Sequence, residues 1–364
     1  MPNTSFAATT GPTGSTSAKP FKIAFIGTGG IAHHHMKHLR NIPGVEIFAA
    51  ADVNERALQK VKDAYHVERL YTDYQKMLRE APDIDAVSVC TPNGLHARNA
   101  MDALEAGKHV LVEKPMAMNA REARQMVDAA RRVGKHLIVG FQHRFEPRSK
   151  MLHDQIKAGQ FGKVLYVRCQ GLRRRGIPSW GVFGRKDVQG GGALIDIGVH
   201  IIEAAHYIIG SPRPVTATGS VACYIGDKPC QVQAPWGPWD HKTYTVEDLA
   251  VGTIRFDSGT LMTVESSFAA HIEKDVWNIT IMGEKAGASW ESGTVFTDHG
   301  GYMMNMTAQH LGTWDHFEYK MRHFVDVCRE GKHNEIPPEH GVMVQMIVDA
   351  LYHSAEVGHE VAIG

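Results

Sequence analysis

The chain carries no surplus charge of either sign. Its 39 Lys and Arg balance 39 Asp and Glu, so its electrostatics favour neither nucleic acid nor an anionic membrane as a partner. Cysteine is scarce and unpatterned. Cys90, Cys169, Cys223, Cys230 and Cys328 are odd in number and never form a CxxC pair. That argues against a disulfide framework or a zinc knuckle and fits the reduced thiols of a cytoplasmic protein. No apolar run is long enough to span a bilayer. Residues 1–20 lack the basic start and apolar centre of a signal peptide; rich in Thr, Ser, Ala, Gly and Pro, they read as a flexible tail, with some other leader as the equal alternative.

What is present is enough apolar material for two cores. The chain has 364 residues, 43% of them hydrophobic and 21% charged, which suits two globular domains and shows no internal repeat. From Phe21 the pattern is regular. FKIAFIG is a continuous apolar run ending in glycine, as expected of a strand buried on both faces. A helix over about 31–40 follows, then the strand VEIFAAAD and helical spacing in NERALQKVKDAY. DAVSVCT, KHVLVE and KHLIVGF read as further strands, separated by helices over 96–106 and 120–133. Such alternation predicts an α/β domain, a doubly wound parallel sheet, over 21–145.

After Pro147 the grammar changes. A helix over about 148–158, the strand KVLYVRCQG, a long loop and a helix over 193–209 precede four β-rich pieces: VTATGSVACY, EDLAVGTIRFD, GTLMTVESSFA and WNITIMGEK. Their Asp-Ser-Gly and Gly-Glu-Lys turns suit antiparallel connections. Residues 314–357 return to helix, so 146–364 reads as an α+β domain with a mixed or antiparallel sheet, its last helix free to pack back on the first domain.

Gly27-Thr28-Gly29-Gly30-Ile31-Ala32 is a G-x-G-x-x-A run directly after the first strand. Gly27 permits the tight turn and Gly29 lets backbone approach a pyrophosphate. Gly30 and Ile31 open a helix whose N-terminus faces that anion. Asp52 ends the second strand where a carboxylate would accept both ribose hydroxyls and repel a 2′-phosphate, which points to NAD over NADP. A plain glycine turn is the competing reading of the loop alone.

Three motifs fall at strand ends, where a doubly wound sheet binds its ligands. These are Cys90-Thr91-Pro92-Asn93 with His96, then Glu113-Lys114-Pro115, then Gly140-Phe141-Gln142-His143-Arg144-Phe145. A lysine is most often simply solvated, but Lys114 feeds the cofactor cleft and Pro115 would fix its direction. Gly190-Gly191-Gly192 then leads into a helix carrying Asp196 and His200, four apart and so on one face. The glycines would let a surface such as a nicotinamide ring come close. An Asp–His pair stabilising its own helix, or two ligands of a metal, are alternative readings of that spacing.

GTGGIA, TPNGLH, VEKP and GGGALIDIGVH, in this order and spacing, resemble the glucose-fructose oxidoreductase / inositol dehydrogenase / MocA (Gfo/Idh/MocA) family over nearly the whole chain from Phe21. The resemblance implies a Rossmann domain followed by a large open mixed sheet whose outer face commonly buries an oligomer interface, hence a homo-oligomer, a dimer or larger even assembly. The family's EKP lysine falls on Lys114 and its D-x-x-x-H pair on Asp196 and His200. It also implies a carbohydrate, cyclitol or glycoside substrate, with hydride leaving a ring carbon such as C3.

The chemistry follows from the residue types. Oxidising a secondary alcohol needs a base for the hydroxyl proton, and histidine, with a pKa near 6.5, suits that task. His200 is the expected base. Lys114 would hydrogen-bond the same oxygen, reach the nicotinamide ribose and keep His200 neutral, while Asp196 orients substrate or histidine. Thr91, Asn93 and His96 are expected along the nicotinamide half of the cleft, Glu113 at the ribose and Arg144 at the cofactor or substrate edge. Trp180 is a candidate to lie against nicotinamide or a sugar face; an ordinary core tryptophan is the competing reading. Arg174, within the run Arg173–Arg175, and Tyr302, His271 and His316 are weaker substrate candidates. The loop around Trp236 and Trp239 reads as an exposed lid or subunit contact.

No metal site is expected. His33, His34 and His35 point about 100° apart on a helix and cannot converge on one ion. Two rival functions share the scaffold: an NAD-dependent glycosidase or lyase that oxidises its sugar transiently, and a non-catalytic NAD-binding regulator.

Overall fold

The structure, a computed structural model, describes residues 19–364; the expected tail falls outside them except at 19 and 20. The first sheet holds β1 (Phe21–Ile26), β2 (Val45–Ala51), β3 (Arg69–Tyr71), β4 (Ala86–Val89), β5 (His109–Val112) and β6 (Leu137–Val139). Every pairing is parallel, in the order β3-β2-β1-β4-β5-β6. β4 and β6 are buried at every residue, which explains why they read as continuous apolar runs. Five helices interleave: α1 (Gly30–Leu39), α2 (Glu55–Tyr65), α3 (Tyr74–Glu80), α4 (Asn93–Glu105) and α5 (Ala120–Val133).

Local chemistry sets their ends. The Asn54 side chain accepts the Arg56 N–H to start α2, and Asn119 accepts the Glu122 N–H to start α5. Gly134, at φ +66°, closes α5 in the left-handed conformation. β3 and α3 escape the periodicity because a three-residue strand and a two-turn helix carry too few apolar positions to register.

The second sheet is larger. It contains β7 (Val164–Leu172), β8 (Pro214–Ala222), β9 (Leu249–Phe256), β10 (Leu261–Ser267), β11 (Val276–Gly283), β12 (Ala286–Ser289), β13 (Thr294–His299), β14 (Tyr302–Thr307) and β15 (Val361–Ala362). Their order is β14-β13-β12-β11-β7-β10-β9-β8-β15, and only β7 and β10 pair in parallel. Helices α6 (Pro147–Lys157), α7 (Lys186–Gln189), α8 (Val199–Ile208), α9 (His316–Glu330) and α10 (Pro338–Val357) complete the chain. Among the described residues no helix is long and apolar enough to cross a membrane.

The last two helices tie the sheets together. On α10, Asp349 accepts the Ala120 N–H at 2.6 Å and Glu339 pairs with Arg131 at 2.8 Å. On α9, Lys320 is fully buried against the first domain. The reversal of strand order between β1 and β4 opens a crevice at the carboxyl ends of those strands, and this is where the motifs converge.

Candidate active site

The glycine loop is built for close approach on both of its sides. Gly27 has φ +85°, and a Cβ there would lie 2.7 Å from the Cys90 carbonyl oxygen at the end of β4. A Cβ on Gly29 or Gly30 would instead meet no protein atom within 4 Å, so that side faces open space. α1 has no side-chain cap and no acidic residue in its first turn, leaving its first N–H groups to an anion. Asp52 fastens the loop: its Oδ2 accepts Thr28 N–H at 2.7 Å and Thr28 Oγ1–H at 2.9 Å, and its Oδ1 accepts Asn54 N–H at 2.9 Å. A bare backbone cradle, a free helix N-terminus and a carboxylate beside them fit a dinucleotide. Gly29, Gly30, Ile31 and Asp52 would hold it.

Across the crevice, Lys114 Nζ donates to Asp196 Oδ1 at 2.7 Å and to the Asp196 carbonyl at 3.1 Å. The expected helix over 193–209 is in fact two pieces. Leu194–Gly198 winds as a π-helix before α8 begins at Val199, a widening common at functional sites. It presents both the carboxylate and the carbonyl of Asp196 to the lysine. Asp196 therefore orients Lys114, where the sequence suggested substrate or histidine. His200 lies on the first turn of α8. Burial, then the charges of Lys114 and His143, hold its pKa well below the ordinary histidine value, so the ring rests neutral, as a base must.

The family models describing an oxidoreductase family with an NAD-binding Rossmann fold and its C-terminal alpha/beta domain match residues 21–141 and 153–363. The chain belongs to the Gfo/Idh/MocA oxidoreductase family. D-glucoside 3-dehydrogenase of Escherichia coli (strain K12) is 36% identical over 350 residues, spanning 95% of this chain and 99% of that protein. Myo-inositol 2-dehydrogenase of Thermotoga maritima is 30% identical over 279 residues, 76% of this chain and 75% of the relative. In structure, an oxidoreductase domain protein from Kribbella flavida matches with a TM-score of 0.82 at 26% identity over 95% of this chain and all of that one. Levoglucosan dehydrogenase with NADH and levoglucosan shares the fold at a TM-score of 0.81, 24% identity and 95% coverage of this chain, 100% of its own. The first domain is thus the NAD-binding Rossmann domain of the Gfo/Idh/MocA family.

Several side chains that the motifs placed at this family site do other work. Glu113 is turned inward: its Oε1 takes Lys320 Nζ at 2.7 Å and His35 Nε2 at 3.0 Å, and its Oε2 accepts Lys114 N–H at 3.2 Å. Burial would raise its pKa, but the Lys320 charge holds it well below the carboxylate range. Arg144 is buried too, pairing with Glu203 and donating to the Glu335 carbonyl; it is a core ion pair, not a cofactor edge. His96 sits between the Pro115 carbonyl at 2.7 Å and the Thr91 carbonyl at 2.8 Å. It clamps the ends of β4 and β5 and does not line the cleft. Thr91 donates to Asn99 at 2.9 Å, and Asn93 donates to the Gln189 carbonyl at 3.0 Å, joining α4 to the end of α7.

The glycine tract before that π-helix also has another cause. A Cβ on Gly191 would be 2.1 Å from the Tyr352 hydroxyl, and one on Gly192 would be 2.0 Å from the Glu247 carbonyl oxygen. Protein, not nicotinamide, makes the close approach. Glu247 then accepts the N–H groups of Gly192 and Leu194 at 2.9 Å each, capping the helix with a buried carboxylate.

Arg174 faces away, donating to the Glu273 carbonyl and receiving support from Asp275; its neighbour Arg173 is the one whose charge is coupled to Asp196. Tyr302 is 73% exposed on the edge strand β14, and His271 packs on Tyr224, so neither lines the site. Trp180 is half-exposed, against the competing reading of a core residue, and Trp239 is buried where an exposed loop was expected. His33, His34 and His35 diverge to Tyr65, Phe317 and Glu113.

One grouping was missed, although His316 itself stood among the weaker substrate candidates. His143 packs edge-on against His200 with ring centroids 5.2 Å apart, and its Nδ1 lies 2.5 Å from Glu146 Oε1. His316 joins them, so that one ligand atom from each of the three lies within 4.8 Å of the others. Arg148 holds the second Glu146 oxygen at 2.8 Å, and Trp277 and Trp290 flank His143. The His-x-x-Glu spacing in HRFE was the available signal, but only the fold brings His316 beside it.

Proposed function

We propose that this protein oxidises a ring secondary alcohol of a glucoside, at C3, with NAD+ as the acceptor. The observation that carries the reading is the Lys114–Asp196 contact at 2.7 Å with neutral His200 beside it, at the mouth of an NAD-binding crevice. The 36% identity to a D-glucoside 3-dehydrogenase over nearly the whole chain supports the substrate class. Bound NAD+ supplies the hydride acceptor. His200 takes the hydroxyl proton, Lys114 donates a hydrogen bond to the oxygen as negative charge builds there, and Asp196 holds the ammonium in place. In the reverse direction His200 returns the proton.

The test is NADH formation from methyl glucoside, with NMR of the product. Stoichiometric NADH and a 3-keto glycoside support the reading. Free aglycone without net NADH would move it to the elimination branch, and no reaction on hexoses, inositols or glycosides would overturn it.

The assembly we infer is an even homo-oligomer formed through the second sheet. Edge strand β14 leaves Tyr302, Met303, Met304 and Met306 exposed, Met303 at 93%, and an apolar edge strand invites pairing. Light scattering coupled to size exclusion tests it; a monomer at micromolar concentration would refute it. Its five cysteines are all free thiols, which supports a cytoplasmic setting.

A further inference from the structure

Residues 224–245, between β8 and β9, fold into a small unit on the flank of the site. Asp248 gathers its start, with Oδ2 accepting the N–H groups of Ile225 and Gly226 at 2.7 Å each and of Tyr224 at 3.1 Å. Trp239 buries its ring there and donates Nε1–H to the Gly226 carbonyl at 2.7 Å. Trp239, Tyr244 and Val246 then pack with Ile177, Ala193 and Ile197. Ile197 is the residue after Asp196, so this unit is docked on the helix that carries the chemistry.

Two indoles remain open on that unit and on the loop beside it. Trp180 is 55% exposed and Trp236 37%. Their ring centroids lie 5.2 Å apart, and the Ser179 hydroxyl donates to the Trp236 carbonyl. The Arg173 guanidinium lies 4.6 Å over the Trp236 ring and donates to the Gly176 carbonyl at 3.2 Å. Ile177, just before Trp180 in the chain, packs in the same cluster as Ile197, the residue after Asp196, so the pair stands on the side of the fold that carries the chemistry. Large apolar rings are usually covered. A pair held open beside the helix that carries Asp196, its planes inclined at 54°, offers an indole face to a flat ligand.

We propose that Trp180 and Trp236 form a stacking subsite for the ring aglycone of a glycoside whose sugar occupies the Lys114–His200 site. The ligand class is a six-membered ring, aromatic or pyranose, joined through a glycosidic bond. The proposal rests on the dehydrogenase reading and deepens it: a free monosaccharide or a methyl glycoside leaves this subsite empty. Stacking acts on binding of the second ring, so selectivity between aglycones is the property it controls.

The test compares kcat/KM for methyl glucoside, phenyl glucoside and a glucosyl-glucose disaccharide in wild type, Trp236→Ala and Trp236→Phe, each with saturating NAD+. We expect the phenyl-to-methyl ratio to fall roughly three- to tenfold in Trp236→Ala and to recover largely in Trp236→Phe. A parallel fall for the disaccharide extends the subsite to sugar rings; a fall for phenyl alone restricts it to aromatic aglycones. A general disturbance of the loop would lower all rates together and leave the ratio unchanged, and an unchanged ratio overturns the proposal. If wild type forms no NADH from any glucoside, the dehydrogenase reading fails by itself. Calorimetric titration of the NAD+ complex with phenyl glucoside then decides the subsite: weaker binding in Trp236→Ala supports it, and equal binding overturns it.

Discussion

Lys114 Nζ lies 2.7 Å from Asp196 Oδ1, although the two residues are 82 positions apart and follow strands of different sheets. Each side chain is only 16% exposed, so the pair is shielded enough for its geometry to count. Asp196 is thus the residue that gives Lys114 a single direction. Replacing Lys114 with Ala removes the hydrogen bond to developing alkoxide and is expected to lower kcat by about 10²–10³-fold. Asp196→Asn keeps the shape but weakens the hold, and a loss of about tenfold or more is expected. The double variant should lose little more than Lys114→Ala alone, because the two act as one unit. Single-turnover NADH formation measures all three; strictly additive losses would separate the residues.

The titration of His200 gives a pH test with a definite sign. Burial, then Lys114 and His143, depress its pKa. A base with a depressed pKa stays neutral through the ordinary histidine range, so kcat is expected to stay flat below pH 6.5 and fall only in more acid solution. Lys114→Met removes one of the depressing charges, and the residual activity should lose rate at a higher pH than wild type. A wild-type limb centred near 6.5 would show that the base is not depressed by its surroundings, and a limb that does not move in Lys114→Met would show that His200 is not the base.

The sequence made the cofactor end of the site legible and left the substrate end obscure, for a physical reason. Gly27, Gly29 and Asp52 act through backbone conformation and nearest-strand geometry, which local spacing encodes. Glu113, Arg144 and His96 stand in the same motifs, yet all three are buried and bonded to protein. A motif reports that a side chain matters; whether it faces ligand or core depends on partners such as Lys320 and Glu203, far along the chain. Strands β12 and β14 escaped notice because the alternation of β12 is spread over only four small residues, Ala286–Ser289, and β14 is exposed throughout. The His143–Glu146–His316 group needed α9 to arrive before it existed.

Lys320 makes the most exacting stability test. It is fully buried on α9 and ends at Glu113 Oε1, 2.7 Å away, with His35 alongside. Removing one partner of a buried pair leaves an uncompensated charge, so Lys320→Met is expected to cost about 3–5 kcal/mol in urea unfolding. Adding Glu113→Gln should recover part of that loss, since the orphaned carboxylate is then gone. A Lys320→Met cost below about 1 kcal/mol would mean that water reaches the group.

Acid should loosen the fold through buried histidines. Burial lowers the pKa of His206 to about 4, despite its hydrogen bond to the Pro212 carbonyl. The unfolded chain, titrating near 6.5, binds more protons between those values, so stability is present above pH 6.5 and is lost as pH falls toward 4. The contribution at stake is on the order of 3 kcal/mol. His206→Gln, which retains a donor and does not titrate, should flatten the fall of Tm between pH 7 and pH 4.5 as read by circular dichroism. An unchanged slope would place the acid sensitivity elsewhere.

Two of the three glycines of the cofactor loop, Gly27 and Gly29, should separate folding from binding. At Gly27 a methyl group would press within 2.7 Å of the Cys90 carbonyl oxygen, and the residue already needs φ +85°. Gly27→Ala therefore strains the protein itself, and both Tm and NAD+ affinity should fall. At Gly29 the same methyl group meets no protein atom within 4 Å, and the N-cap backbone there is extended at φ −71°, which any residue adopts. Gly29→Ala should therefore unfold within about a degree of wild type in the absence of cofactor. Its methyl group projects into the space that the bare amides leave for a pyrophosphate, so the NAD+ dissociation constant should rise at least about tenfold. Differential scanning calorimetry and NAD+ titration read the two quantities independently. A Gly29→Ala protein that binds NAD+ like wild type would mean that the dinucleotide does not cross the loop at that residue.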